Sequence, residues 1–275
     1  AGYFYIFAIF KTFSMTALII ALITAIQITA PAPLYEPGAT RPTGYEKGVS
    51  AMFAGAVGDT IVMAGGANFP DVPAADGGRK HFYYEIFTKH GENREWQFRG
   101  TLPQPLAYGM SVPLGDGLLC IGGTGYSGQS RQVFKIRTGE REIYLIDRSW
   151  PDLPAAVSEG AAAIIGSKVY VAGGIADGMP SATVWMLDTE SSNRMWIPIA
   201  PLPSPAVQPV MASSNGKLYL WYGCNTATGE VSGRGLCYDP DTDSWTPVAP
   251  HPAGGTFTGA VSATIPDGRI FCAGG

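Results

Sequence analysis

Short, uninterrupted apolar runs that end in glycine recur along the chain: "TIVMAGG" from Thr60, "GLLCIGG" from Gly117, "KVYVAGG" from Lys168, "KLYLWYG" from Lys217 and "RIFCAGG" from Arg269. Aligned on their last glycine, at Gly66, Gly123, Gly174, Gly223 and Gly275, they are spaced 57, 51, 49 and 52 residues apart. A polar turn precedes each run, as in "VGDT" at Val57 and "SNGK" at Ser214, and before the turn stands a stretch of small and apolar residues such as "AYGMSVPL" or "GAAAII". After each of the first four runs come a variable segment, another apolar run and a tryptophan: Trp96, Trp150, Trp196 and Trp245. Runs this short, bounded by Gly, Asp, Asn and Pro, predict strands and not helices.

The predicted order is strand, tight turn, strand ending in Gly-Gly, loop, strand and Trp-bearing strand. This is a four-stranded antiparallel blade, repeated with a period of about 50, the range of kelch-type propellers. One blade cannot bury both of its faces, so several must pack side by side around an axis, with each Trp wedged between neighbours. The fold expected over residues 35–275 is therefore an all-β, kelch-type β-propeller. Blades starting near Gly48, Leu106, Ser158, Val207 and Phe257 give four blades and half of a fifth. If six blades complete the ring, the chain is truncated at its C-terminal end by roughly 75 to 100 residues.

The first 34 residues are of another kind. No charge occurs between Thr12 and Leu34, Lys11 precedes the run, and "MTALIIALITAIQITAPAP" has the apolar body and small-residue end of a secretory signal. It is also long enough to span a bilayer, so residues 1–34 are expected to be a signal peptide or a membrane anchor. Either sends the remainder across a membrane, to the periplasm or another exported location. N-terminal sequencing of the exported protein should begin between about Ile26 and Glu36 if a signal peptidase acts; a soluble cytoplasmic product would overturn both readings.

Composition narrows the partners. A formal net charge of −4 gives no footprint for nucleic acid, and membrane contact is expected only through the N-terminal segment. Cys120, Cys224, Cys237 and Cys272 form no CxxC pair and have no metal-ligand spacing with the three histidines, so no metal is expected. Cys120 and Cys272 occupy one place in two repeats and read as apolar fillers, whereas Cys224 and Cys237 can pair within one unit in an oxidising compartment. His81, His90 and His251 are too few for a copper-radical oxidase, and the Ser-x-Asp-x-Gly-x-x-Trp boxes of sialidases are missing from the sequence.

Binding chemistry is expected on the face where the post-Gly-Gly loops and the inter-blade loops open around the channel. The longest such loop, "ANFPDVPAADGGRKHFYYE", carries Asn68, Asp71, Arg79, Lys80 and His81. Inter-blade loops add Gln104, Tyr108, Glu159 and Gln208, and the fourth blade adds Asn225, Glu230 and Arg234. A basic pair beside amides and a phenol suits a carboxylated, hydroxyl-rich ligand. Asp71 and Glu159 lack a visible partner in the sequence and read as surface charges.

The stretches "KGVSAMFAGAVGDTIVMAGGANFPDVPAADGGRK", "LPQPLAYGMSVPLGDGLLCIGG" and "VQPVMASSNGKLYLWYG" resemble the cyclically permuted mutarotases, kelch propellers similar to bacterial N-acetylneuraminate epimerases. The resemblance implies interconversion of sialic acid anomers by acid-base ring opening and closure, with no cofactor and with a small sugar acid as partner. In that scheme Arg79 and Lys80 hold the sugar carboxylate, Asn68 and Gln208 bond its hydroxyls or N-acetyl group, and Tyr108 packs against the ring. The epimerases' acid-base glutamate, with an arginine shortly after it, would fall beyond Gly275, so the catalytic residues stay unassigned. Leu106 stands where the epimerases carry an arginine before "AYG". The alternative is a non-catalytic kelch propeller that binds a sugar or a protein.

Overall fold

A computed structural model describes residues 44–91, 95–138, 144–225, 230–231, 233–251 and 259–274. The segment read as signal or anchor, residues 1–34, lies outside the described residues. No α-helix occurs among the described residues, which contain two 3-10 turns, Tyr45–Lys47 and Ala74–Asp76, and otherwise strands.

Four sheets of four antiparallel strands follow one another, each in chain order from first strand to fourth. The first comprises Phe53–Val57, Thr60–Ala64, Glu85–His90 and Gln97–Thr101. The second comprises Met110–Leu114, Gly117–Ile121, Val133–Thr138 and Tyr144–Asp147. The third comprises Ala161–Ile165, Lys168–Ala172, Val184–Asp188 and Trp196–Ile199, and the fourth Val210–Ser214, Lys217–Trp221, Gly235–Asp239 and Ser244–Val248. Val261–Thr264 and Ile270–Ala273 then pair as the start of a fifth unit. The repeat read from the sequence is thus a β-propeller blade.

The hairpins within the blades explain the constant spacing between their first two strands from repeat to repeat. Val57 pairs with Thr60, Leu114 with Gly117 and Ile165 with Lys168, leaving two-residue turns whose first residues, Gly58, Gly115 and Gly166, have φ of 56, 55 and 57°. Positive φ at that place matches the turn to the strands' own twist.

Why the second strands are uninterrupted apolar runs follows from their burial. Leu118 and Cys120 pack with Phe53, Val62 and Phe134 of the first interface, while Leu119 and Ile121 of the same strand pack with Val169 and Val171 of the next blade. Both faces are covered, so the period-two alternation of a half-exposed strand has no place here. A third interface joins Tyr170 to Leu218, Leu220 and Tyr238. The outer face of the first blade is covered by the chain's own preceding segment: Tyr45 packs on Tyr83 and Phe87, with ring centroids 4.9 and 5.1 Å away.

The tryptophans fasten blade to blade. Trp196 Nε1 donates to Pro151 O and Trp245 Nε1 to Ala200 O, each at 2.9 Å, reaching the connection that leaves the preceding blade. Trp150 departs from the expected Trp-bearing strand. The fourth strand of its blade ends at Asp147, and the Trp150 ring lies beyond it, with the Arg194 guanidinium 4.6 Å and the Lys135 ammonium 5.9 Å from the ring centroid. Leu153 follows Trp150 by three positions where Leu202 follows Trp196 by six, so the ring cannot stand in the same register.

Cys120 is fully buried, and desolvation pushes its thiol well above the usual range, as expected of an apolar filler. Cys272 is partly buried and shifted the same way. Cys237 is a free, buried thiol, so the pairing with Cys224 allowed by the sequence is not formed; the Cys224 side chain lies outside the described residues.

Candidate functional site at the channel mouth

The Gly-Gly pairs hold the start of the following blade. Gly66, Gly123 and Gly174 donate their N–H to Leu106 O, Val157 O and Ala206 O at 2.8, 2.8 and 2.7 Å. A Cβ on Gly65, Gly122 or Gly173 would come within 2.3, 2.2 or 2.6 Å of those same carbonyl oxygens, and all six glycines have positive φ. Glycine is required on both counts. The glycines thus work at the seam between blades, at the loop end of the second strand.

Two residues after each docked carbonyl the chain takes a second unusual step. Tyr108, Glu159 and Gln208 have φ of 59, 58 and 53°, and Ala51 and Gly259 occupy the same place with 56 and 68°. Successive members are joined by backbone hydrogen bonds: Tyr108 N–H to Ala51 O at 2.8 Å, Glu159 N–H to Tyr108 O at 2.7 Å, Gln208 N–H to Glu159 O at 2.7 Å, and Gly259 N–H to Gln208 O at 3.4 Å. A chain of N–H···O=C bonds therefore crosses from blade to blade at the top of the inner strands. Left-handed backbone costs a non-glycine residue about 1 to 2 kcal/mol, and such residues gather where a side chain must be aimed.

These residues line an open cavity of about 420 Å³ between the inner strands, whose walls include Met52, Met110, Ser111, Met211 and Ser262. Inner strands are tied across the seams: Ser111 Oγ donates to Ala54 O at 2.9 Å and Ser262 Oγ to Met211 O at 2.8 Å. Two polar pairs occupy the mouth. Lys80 Nζ donates to Tyr108 Oη at 2.7 Å and lies 4.5 Å from that ring's centroid and 5.6 Å from that of Phe69. Gln208 Nε2 donates to Glu159 Oε2, also at 2.7 Å.

Of the residues singled out in the sequence, the structure brings Lys80, Tyr108 and Gln208 to one mouth. Arg79 is exposed beside Lys80 and makes no hydrogen bond or ion pair with another described residue. Asn68 is placed differently: its amide donates to Gly44 O and Gly48 O at 2.8 and 2.7 Å, and its Oδ1 accepts from Tyr83 Oη at 2.9 Å. Both donors are spent on holding the chain, which leaves Asn68 little with which to meet a ligand. Gln104 lies in a separate small cleft with Tyr126 and Arg131, and the side chains of Asn225 and Glu230 lie outside the described residues. Leu106 is buried against the first blade and presents nothing to the cavity.

Glu159 reads as a surface charge in the sequence and stands instead in the cavity wall, bonded to Gln208. A signal for it was present. Tyr108, Glu159 and Gln208 are spaced 51 and 49 apart, the same as Gly123, Gly174 and Gly223, so the repeat alignment puts them in one column.

Residues 51–275 match the family description KLHDC2/KLHL20/DRC7 Kelch-repeats domain. The chain belongs to the kelch-repeat family. Among curated relatives, the N-acetylneuraminate epimerase of Brucella suis is 32% identical over 132 residues, 46% of this chain and 33% of the epimerase. The enzyme of the same name from Pasteurella multocida is 32% identical over 130 residues, with the same shares. Beta-scruin of Limulus polyphemus is 24% identical over 199 residues, 69% of this chain and 21% of scruin. The chain therefore spans a third or less of the length of these relatives. The solved structure of YjhT superposes with a TM-score of 0.62 at 12% identity, covering 81% of this chain and 79% of that one, a likeness of fold.

Proposed function

We propose that this kelch propeller is a carbohydrate mutarotase that interconverts the anomers of a sugar acid, N-acetylneuraminate being the substrate its relatives' names suggest. The observation that carries the reading is the pairing of a cation-bearing phenol, Lys80 on Tyr108, with an amide-bearing carboxylate, Glu159 on Gln208, at one channel mouth. The Lys80 ammonium, with exposed Arg79 beside it, meets the sugar carboxylate in a charge-assisted hydrogen bond, and the phenol face of Tyr108 packs on the ring. The Gln208 amide faces the hydroxyls. Support for the substrate class comes from the 32% identity to epimerases of Brucella suis and Pasteurella multocida. Mutarotation needs a base for the anomeric hydroxyl and an acid for the ring oxygen. The uncharged run behind Lys11 supports an exported protein.

Exchange NMR on α- and β-N-acetylneuraminate with the full-length protein tests the reading. Saturation should pass between the anomers faster than in buffer, and Lys80→Met should weaken binding about 10- to 100-fold, the value of one charged hydrogen bond. Binding without acceleration would leave a sugar-binding module in place of an enzyme.

A further inference from the structure

Resting on the proposed reading of this mouth as a sugar site, we infer that the outward N–H and C=O of Ser111 form a subsite for one ligand hydroxyl, kept open because alanine, at Ala162, faces it from the next blade. The first strand of each blade is an edge strand, so every second residue bonds the second strand and those between turn their main-chain groups away from the sheet. The pairs Val57–Thr60, Leu114–Gly117 and Ile165–Lys168 close the turns, which makes Ala54, Ser111 and Ala162, three positions earlier, the outward residues. In the first blade that outward pair is occupied. Ser111 Oγ reaches back across the seam, donates to Ala54 O at 2.9 Å and accepts from Ala54 N–H at 3.1 Å. One hydroxyl, donor and acceptor at once, satisfies both groups. Ser262 makes the same donation to Met211 O in the fourth blade, at 2.8 Å.

The seam between the second and third blades breaks this pattern. Ala162 stands at the place of Ser111, its pairing with Val171 matching that of Ser111 with Cys120, and a methyl group neither donates nor accepts. Among the described residues none bonds the outward N–H or C=O of Ser111. Ser111 and Ala162 both line the cavity, three residues after Tyr108 and Glu159 respectively. The outward pair at Ala162 faces Met211, a longer side chain packed in the third interface, so Ser111 is the one opposite only a methyl. A main-chain N–H and C=O in an open cavity call for a partner that accepts and donates through one atom. A sugar hydroxyl does this, as the Ser111 hydroxyl does on Ala54. A carboxylate only accepts, an ammonium only donates, and an acetamido group carries its N–H and C=O on opposite sides and meets one member of the pair. Ala162 is thus a specificity-determining residue that acts through the main-chain pair it leaves open.

The test is Ala162→Ser in the full-length protein, with calorimetric titration of N-acetylneuraminate and of its monodeoxy analogues, each lacking one hydroxyl. The introduced hydroxyl should take the ligand's place on Ser111, and affinity for N-acetylneuraminate should fall about 10-fold, the value of a hydroxyl's two neutral hydrogen bonds. One analogue should bind the wild type about 10-fold more weakly than the parent sugar and bind Ala162→Ser no worse than the wild type, because the group that the serine displaces is already gone. Unchanged affinity for the parent sugar overturns the subsite. An equal loss for every analogue also overturns it, since the serine would then act by crowding the cavity. The cycle reads binding alone, so a wild type that binds the sugar without accelerating anomer exchange removes the mutarotase reading and leaves this one standing, while a wild type that does not bind it removes both. Should Ala162→Ser fail to fold, hydrogen exchange of the wild-type Ser111 amide decides: saturating sugar should slow it about 10-fold or more, and an unchanged rate overturns the proposal.

Discussion

Gly122→Ala is expected to destabilise the protein by about 3 kcal/mol or more, far beyond the usual cost of one added methyl group. Two terms combine. At φ 62° an alanine pays about 1 to 2 kcal/mol for left-handed backbone. Its Cβ would also sit 2.2 Å from Val157 O, a backbone atom that cannot rotate away. Relief requires moving the chain that starts the third blade, which lengthens the 2.8 Å bond from Gly123 N–H to Val157 O. Gly128→Ala is the control, because Gly128 has φ 94° but no atom within 4 Å of an added Cβ, so only the backbone term remains. Urea unfolding of the two variants separates the terms. Equal losses would mean that the Gly-Gly pairs serve chain conformation alone and do not seat the next blade. Because Glu159 follows Val157 by two residues, the same substitution should also disturb the channel mouth.

Asn68→Ala is expected to cost about 2 to 4 kcal/mol of stability while leaving sugar affinity within about 3-fold of wild type. The Asn68 side chain ties Gly44 O and Gly48 O to the first blade and accepts the hydroxyl of Tyr83, which is 1% exposed. Removing it takes away the acceptor of a buried hydroxyl's hydrogen bond and two ties to the preceding chain, loosening the segment that seats Tyr45 on Tyr83 and Phe87. Asn68→Asp should not rescue the loss, since a carboxylate keeps the acceptor for Tyr83 but turns an acceptor toward two carbonyls. Denaturant unfolding and calorimetric titration with N-acetylneuraminate read the two quantities separately. Unchanged stability with a tenfold or greater loss of affinity would restore Asn68 to the binding site.

The propeller was legible because its cause is local and repeated. Apolar runs such as Gly117–Ile121 are continuous when both faces of a strand are covered, and the turn glycines mark where each run begins. Trp150 was misread because tryptophan was counted by residue type and not by its distance to the following leucine. The site was half legible. The loops of Lys80, Tyr108 and Gln208 do meet at the channel mouth, as their places in the repeat suggest, but nothing in the composition of a loop distinguishes Asn68, whose donors are used within the fold, from a free amide. Glu159 was missed for the opposite reason: its partner Gln208 is 49 residues away, and only the closing of blade on blade brings the two side chains together.

The hydrogen-bonded series at the channel mouth separates backbone from side chain in a way that bears on how such a protein can change. Ala51, Tyr108, Glu159, Gln208 and Gly259 share one backbone geometry although they range from no side chain to a phenol. The frame is set by main-chain atoms, so a residue there can be exchanged without repacking a core. On the proposed reading of this mouth as a binding site, ligand preference would be a property that mutation can rewrite one blade at a time, each step nearly independent of the stability that the Gly-Gly seams and shared blade faces supply.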